Sequence, residues 1–137
     1  MAQNITTSVN SLLAKANAEV MTISAEDALE LFDKEDHVFV DLRDICEINR
    51  SGKIPGAFSC PRGMLEFWID PASPYHKEVF NQDKTYVFYC AAGWRSALSA
   101  QTAKDMGLDP VYHIDGGFSE SSASENPIEK QESHYKP

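Results

Sequence analysis

The chain has 137 residues, of which 42% are hydrophobic and 24% charged, and this suits one globular domain with a single core. Its formal net charge of -9 argues against nucleic acid and anionic membranes as partners, since neither attracts an acidic surface. The sequence has no apolar run that could span a membrane, and its N-terminus lacks the basic and apolar regions of a secretory signal. We therefore expect a cytoplasmic protein.

The cysteines fit the same expectation. Cys46, Cys60 and Cys90 are widely spaced, form no C-x-x-C motif and, being odd in number, cannot all pair with one another. We expect free thiols in a reducing compartment, with Cys46 and Cys60 as buried bystanders. Together with His76 and His113 the cysteines do not give the spacing of a zinc site, so we expect no metal.

Strand and helix patterns alternate along the chain from residue 20. The strand-like runs are, in order, EVMTIS, HVFVDL, KIPGAFSCP, TYVFYC and DPVYHID. Helices are predicted between them: one capped by Ser24, then RDICEINRSG, then RGMLEFWI after Pro61, and one over 96–106 that ends at Gly107. This order predicts an α/β fold with a five-stranded parallel sheet and helices on both faces.

The two ends of the chain differ from this middle. Residues 1–19 are interpreted as an N-terminal extension, and the domain itself is predicted over 20–118. Residues 119–137 have one aliphatic β-branched side chain, Ile128, and one aromatic side chain, Tyr135. Such a segment buries too little apolar surface to offset its ordering entropy, so we predict a disordered or loosely docked polar tail. A final amphipathic helix is the alternative.

The segment CAAGWRS, residues 90–96, is the candidate site. Cys90 ends the fourth strand just before a helix, at the sheet edge where open α/β folds bind ligands. Backbone N–H groups can turn inward as an anion-binding nest where side chains are small, as at Ala91, Ala92 and Gly93. The helix that starts near Ser96 adds N–H groups, and Arg95 adds a cation. These surroundings favour a thiolate, so Cys90 is the candidate nucleophile; a small buried side chain at a strand end is the alternative.

Four motifs carry a family resemblance: DLR at 41–43, KIPGA at 53–57, CAAGWRS at 90–96 and IDGGF at 114–118. In this order they resemble a single-domain rhodanese, a sulfurtransferase. The resemblance implies a five-stranded parallel sheet and no metal or organic cofactor. It also implies that Cys90 takes the sulfane sulfur of a donor such as thiosulfate as a persulfide. The sulfur then passes to cyanide or a thiol, with a protein sulfur carrier as a further candidate acceptor.

The resemblance also assigns roles around Cys90. The residues expected to bind the substrate or its anion are Ala91, Ala92, Gly93, Trp94, Arg95 and Ser96. Asp41 and Arg43 are expected to support the site by hydrogen bonds to neighbouring loops. Ser121 stands where the family commonly has a tryptophan in a closing helix, which makes the last helix uncertain and leaves the chemistry intact.

Two other functions are alternatives. Cysteine phosphatases have a similar loop, but with one residue more between the cysteine and the arginine than the four found here. A non-catalytic binding or regulatory module is the other alternative. Modules of that kind typically replace the loop cysteine, whereas Cys90 and Arg95 are both present here.

Overall fold

A five-stranded parallel sheet forms the centre of the computed structural model, which describes residues 2–130. The strands are β1 Met21–Ile23, β2 His37–Asp41, β3 Phe58–Ser59, β4 Thr85–Tyr89 and β5 Val111–Ile114. Their order across the sheet is β1-β5-β4-β2-β3, and each neighbouring pair is parallel. The predicted α/β fold is confirmed.

Six α-helices connect and cover the strands: α1 Val9–Glu19, α2 Ala25–Leu31, α3 Ile45–Ser51, α4 Leu65–Ile69, α5 Trp94–Asp105 and α6 Gly117–Ala123. Local capping explains where some of them start. The Ser24 side chain accepts a hydrogen bond from the Asp27 N–H at the start of α2. At the start of α3, Asp44 and Glu47 exchange the two hydrogen bonds of a capping box.

The side chains of β4 alternate between the two faces of the sheet. Tyr86 and Phe88 belong to a cluster that includes Leu65 of α4 and Ala100 of α5. The intervening residues face a second cluster, which includes Ala28 of α2 and Phe118 at the start of α6. Burial on both faces explains the continuous apolar run of this central strand. It also fixes the position of Cys90, which follows β4 directly.

The structure differs from the sequence analysis at both ends. The predicted extension contains α1, in which Leu13 and Ala16 pack against Ala97 of α5. The predicted polar tail begins within α6, in which Phe118 and Ser121 are buried. Residues 131–137 of that tail lie outside the described part of the chain, and the division into extension, domain and tail stays a prediction.

Smaller differences concern single residues. Helix α5 begins at Trp94, two residues earlier than predicted, because the loop after Cys90 is shorter than expected. Cys60 is buried as predicted, but the prediction of a buried Cys46 is wrong because that thiol is exposed on α3. Within residues 2–130, no helix has the combination of length and apolar character that a membrane crossing requires.

Candidate functional site

Cys90 lies at the carboxyl edge of the sheet, between β4 and the amino end of α5, with 1% of its surface exposed. The turn that joins the two elements depends on Gly93, which has φ +105. A Cβ there would lie 3.4 Å from the Gly116 nitrogen, so the residue combines a left-handed backbone with a close approach. The loop therefore closes tightly around the sulfur.

Hydrogen-bond donors converge on the Cys90 sulfur. The N–H of Gly93 lies 3.2 Å from Sγ and the N–H of Ser96 lies 3.4 Å away. The thiol itself donates to Ser96 Oγ over 3.6 Å, and Ser96 Oγ also lies 3.3 Å from the Gly93 carbonyl oxygen. Both N–H donors come from the first turn of α5, where unpaired N–H groups and the helix dipole both favour negative charge. Of the three residues predicted to form the nest, Gly93 donates its N–H to the sulfur, and the other N–H donor is Ser96. Donors of this kind can stabilise a thiolate or a small anion attached to the sulfur.

The amino end of α6 holds the other side of the loop. The N–H of Phe118 donates to the Cys90 carbonyl at 2.7 Å, and the N–H of Ser119 donates to the Ala91 carbonyl at 2.9 Å. Gly117 has φ +57, and a Cβ there would collide with the Cys90 carbonyl oxygen. With the two carbonyls turned toward α6, the N–H groups of the loop are free to face the sulfur.

Arg95 has a partner that the sequence analysis did not identify. Its guanidinium donates two hydrogen bonds of 2.8 Å to the carboxylate of Glu47 on α3. These bonds lower the pKa of Glu47 to about 2, and the same carboxylate raises the pKa of Arg95. Arg95 supplies the predicted positive charge next to the loop, but the Glu47 carboxylate partly neutralises this charge.

Asp41 and Arg43 form a fully buried pair beneath the site. The Arg43 guanidinium donates to both Asp41 oxygens, the shortest contact being 2.9 Å, and also to the Gly52 carbonyl. Its carbon Cζ lies 4.2 Å from the centre of the Phe118 ring. The pair thus connects the end of β2, the end of α3 and the start of α6, which is the bracing role expected from the sequence.

His113 is a buried site residue that sequence reasoning missed. Its Nδ1 lies 3.2 Å from Ser96 Oγ, and its Nε2 lies 3.0 Å from Thr22 Oγ1 and 3.1 Å from Asn17 Oδ1. Burial lowers the pKa of His113, while the charge of Asp115 opposes that shift. These partners come from α5, β1 and α1, so no local motif in the sequence could have revealed the cluster.

The remaining predicted residues lie at the rim. Ala92 and Trp94 are exposed, and Ala91 is half-buried. Beside Ala91 is an open pocket of about 200 Å³, whose walls include Arg50, Ser119 and Ser122 as well as the carboxylate of Glu47. Arg50 and the hydroxyl groups can bind a small anion that approaches the loop, because Glu47 is paired with Arg95.

A family model for the rhodanese-like domain matches residues 24–124. The chain belongs to the rhodanese-like family. The match ends after α6, so the family domain includes the helix that the sequence analysis placed in a tail.

Three curated relatives are similar in sequence. Thiosulfate sulfurtransferase/rhodanese-like domain-containing protein 3 of Mus musculus is 33% identical, over 75% of this chain and 69% of the relative. Thiosulfate sulfurtransferase GlpE of Glaesserella parasuis is 30% identical, over 78% of this chain and 91% of the relative. The tRNA uridine(34) hydroxylase of Ehrlichia chaffeensis is 33% identical over 72% of this chain, which spans only 35% of that protein.

One solved structure is similar along nearly the whole chain. It is a protein of unknown function from Rhodopseudomonas palustris, described as a possible tyrosine phosphatase. It is 55% identical, with a TM-score of 0.91, and the match covers 94% of this chain and 99% of that one. These relatives agree on the fold and differ in the chemistry that their names suggest.

Proposed function

We propose that this protein is a sulfurtransferase that carries sulfane sulfur as a persulfide on Cys90. The observation that supports this most is the convergence of the Gly93 N–H and the Ser96 N–H on one sulfur atom, which also lies next to Ser96 Oγ. Donors at these distances stabilise negative charge on Sγ, both in the thiolate and after a second sulfur is attached. The sulfurtransferase names of two relatives support the same chemistry.

The proposed reaction has two displacements. The Cys90 thiolate attacks the outer sulfur of thiosulfate, a new S–S bond forms, and sulfite leaves with the electron pair of the broken bond. A thiophile such as cyanide then attacks the terminal sulfur, and thiocyanate leaves while the Cys90 thiolate is restored. A thiol or a protein sulfur carrier is an equivalent acceptor, and neither step uses a metal or an organic cofactor.

The surroundings of the loop suit an anionic donor. The pocket beside Ala91 has Arg50 and the hydroxyls of Ser119 and Ser122 in its walls. We propose that the donor enters through this pocket. The chemistry requires a reduced thiol, and the three free cysteines are consistent with a reducing compartment such as the cytoplasm.

A phosphatase is the second candidate, because the neighbour from Rhodopseudomonas palustris is described as a possible one. Two features of the site argue against it. Only four residues separate Cys90 from Arg95, which makes a narrow loop. The Arg95 guanidinium, which would have to hold a phosphate, already donates to both oxygens of Glu47. A non-catalytic module is disfavoured by the donors that surround Cys90.

Intact-protein mass spectrometry after incubation with thiosulfate tests the proposal. We expect one added sulfur atom on the wild-type protein and its release as thiocyanate when cyanide is added. The Cys90→Ser variant should take up none, because an oxygen nucleophile cannot form the persulfide, and its turnover should fall to below about a few per cent of wild type.

Two matched variants control for the other thiols. Cys46→Ser and Cys60→Ser should retain sulfur uptake, since neither residue contacts the loop donors. Unchanged uptake by Cys90→Ser would assign the sulfur to another residue. Hydrolysis of aryl phosphates that requires Cys90, with no sulfur uptake from thiosulfate, would favour the phosphatase instead.

A further inference from the structure

A chain of polar side chains leads from the Cys90 sulfur past the buried His113 to Asn17, an exposed residue of α1. Sγ lies 3.6 Å from Ser96 Oγ, and Ser96 Oγ lies 3.2 Å from Nδ1 of His113. On the far side of the ring, Nε2 lies 3.1 Å from Asn17 Oδ1. His113 is 2% exposed, so protein groups rather than solvent determine where its proton lies.

Asn17 determines which ring nitrogen of His113 carries the proton. The Asn17 amide oxygen can only accept, and Thr22 Oγ1, 3.0 Å from the same nitrogen, has lone pairs that can accept as well, so both partners suit a neutral ring whose hydrogen lies on Nε2. Nδ1 is then an acceptor 3.2 Å from Ser96 Oγ, slightly nearer than the Gly93 carbonyl oxygen at 3.3 Å, and the Ser96 hydroxyl completes the chain by donating to Nδ1. The lone pairs of Ser96 Oγ are left to accept the S–H of Cys90, so each donor in the chain points away from the sulfur and toward the imidazole.

We propose that His113 accepts the proton of Cys90 through Ser96, and that Asn17 makes this possible by fixing the tautomer of the ring. The S–H proton moves to Ser96 Oγ as the Ser96 hydroxyl proton moves to Nδ1. The products are a thiolate that accepts a hydrogen bond from Ser96 Oγ and an imidazolium whose Nε2–H still donates to Asn17. His113 thus acts through Cys90, as a positioning residue that takes up the proton of the thiol. The inference rests on the proposed function, in which Cys90 is the reacting atom.

Two ionisable groups influence the protonation of His113: Asp115 through its charge, and Cys90 through the contacts of Ser96. Asp115 follows β5 on the same connection, and its charge favours the imidazolium. The other elements around the ring contribute neutral groups, namely Asn17 from α1, Thr22 from β1 and Ser96 from α5. Burial lowers the pKa of His113, so the resting ring is neutral and can accept a proton. A thiolate at the other end of the chain then stabilises the imidazolium.

The proposal gives α1 a functional role. Asn17 is held in place because Leu13 and Ala16 of the same helix pack against α5, which also carries Ser96. Helix α1, which the sequence analysis placed in an N-terminal extension, therefore contacts His113 through Asn17.

The test follows thiolate formation on Cys90 by its ultraviolet absorbance as the pH is raised, in a Cys46→Ser background. Cys60 stays silent in the neutral range, because burial raises its pKa to about 12. His113→Asn retains a hydrogen-bonding group but cannot take up a proton. In this variant the pH midpoint of thiolate formation on Cys90 should rise by about one pH unit or more. Asn17→Asp puts a carboxylate on the Nε2–H, which favours the imidazolium and should move the midpoint in the opposite direction.

Matched variants separate this role from a structural one. His37→Asn changes a histidine at the opposite end of the sheet, where it pairs with Asp36, and should leave the midpoint unchanged. If His113→Asn does not fold, Asn17→Leu takes its place. Without the Asn17 oxygen, the ring hydrogen is no longer held on Nε2, so the pH midpoint of thiolate formation should rise. Purely structural damage would shift both Asn17 variants in the same direction, whereas the proposal requires opposite shifts.

Opposite shifts of the midpoint in Asn17→Asp and Asn17→Leu, together with an unchanged midpoint in His37→Asn, support the proposal. Titrations that overlay the wild type, or that all move together, overturn it. The measurement uses no sulfur donor, so its outcome is independent of the proposed function. A protein that takes up no sulfur and still shows the opposite shifts would refute the sulfurtransferase and retain the proton path.

Discussion

At the scale of single residues, two arginine–carboxylate pairs near the site differ in burial and therefore in their contribution to stability. Arg43 and Asp41 are almost completely buried, and the arginine makes further bonds to Ser51 and Gly52. The Arg95 side chain is 40% exposed, and that of its partner Glu47 is 20% exposed. Removing one member of a buried pair leaves an uncompensated charge in the interior, while a half-exposed pair is screened by water.

The two arginines should therefore differ strongly in their effect on stability. Arg43→Leu should lower the free energy of unfolding by about 3–5 kcal/mol, since Asp41 loses its partner in the core. Arg95→Leu should cost about 1 kcal/mol or less. Urea unfolding of both variants measures the difference, and equal losses would contradict the assignment of Arg43 as a brace.

At the scale of elements, α6 controls the shape of the active loop. Its first N–H groups bind the carbonyls of Cys90 and Ala91, and this close approach is possible only because residue 117 has no side chain. A Cβ there would press on two backbone carbonyl groups that cannot move without opening the loop. The helix thus determines where the loop N–H groups point, although it contributes no side chain to the sulfur.

Gly117→Ala should reduce both stability and sulfur uptake. Gly107→Ala is the matched control, because Gly107 also has a positive φ, +106, but a Cβ there meets nothing within 4 Å. The control should lose about 1 kcal/mol from backbone strain alone and keep its uptake. The change at Gly117 should cost more and should slow persulfide formation, as measured by intact mass over time. Equal behaviour of the two variants would show that α6 does not shape the loop.

The elements also show what a sequence can and cannot reveal. The central strands β2 and β4 were predictable because they are rich in apolar and aromatic residues, and the loop at 90–96 was predictable because its residues are contiguous. Helix α6 was given only as the alternative to a disordered tail, because it buries little besides Phe118 and is held by backbone bonds to a distant loop. His113 and Glu47 were missed because their partners lie far away along the chain, and such pairings leave no local pattern.

At the scale of the whole molecule, stability depends on the pH through groups with shifted pKa values. Burial lowers the pKa of His113 in the folded state, so below about 6.5 the unfolded chain binds more protons and stability falls. Arg95 lowers the pKa of Glu47 from 4.5 to about 2. Its contribution is fully present above about 4.5 and is lost as the pH falls toward 2.

Acidification should therefore destabilise the protein in two stages. The free energy of unfolding should decline once as the pH falls below about 6.5, the pKa of a histidine in the unfolded chain, and again below about 4.5. Urea unfolding across this range measures both stages. His113→Gln should remove the first stage and Glu47→Gln should weaken the second. A first stage that persists unchanged in His113→Gln would assign it to another group.

The last described residues have a mechanical consequence. Glu129 and Lys53 exchange two backbone hydrogen bonds, and a side chain at Gly52 would run into Ile128. Among the described residues, force applied from the carboxyl end acts on this two-bond bridge before it acts on α6. Because α6 binds the carbonyls of Cys90 and Ala91, we expect the loop around the sulfur to change shape while the strands are still paired. Under the proposed function, a molecule extended from this end should lose sulfur uptake before its sheet unfolds.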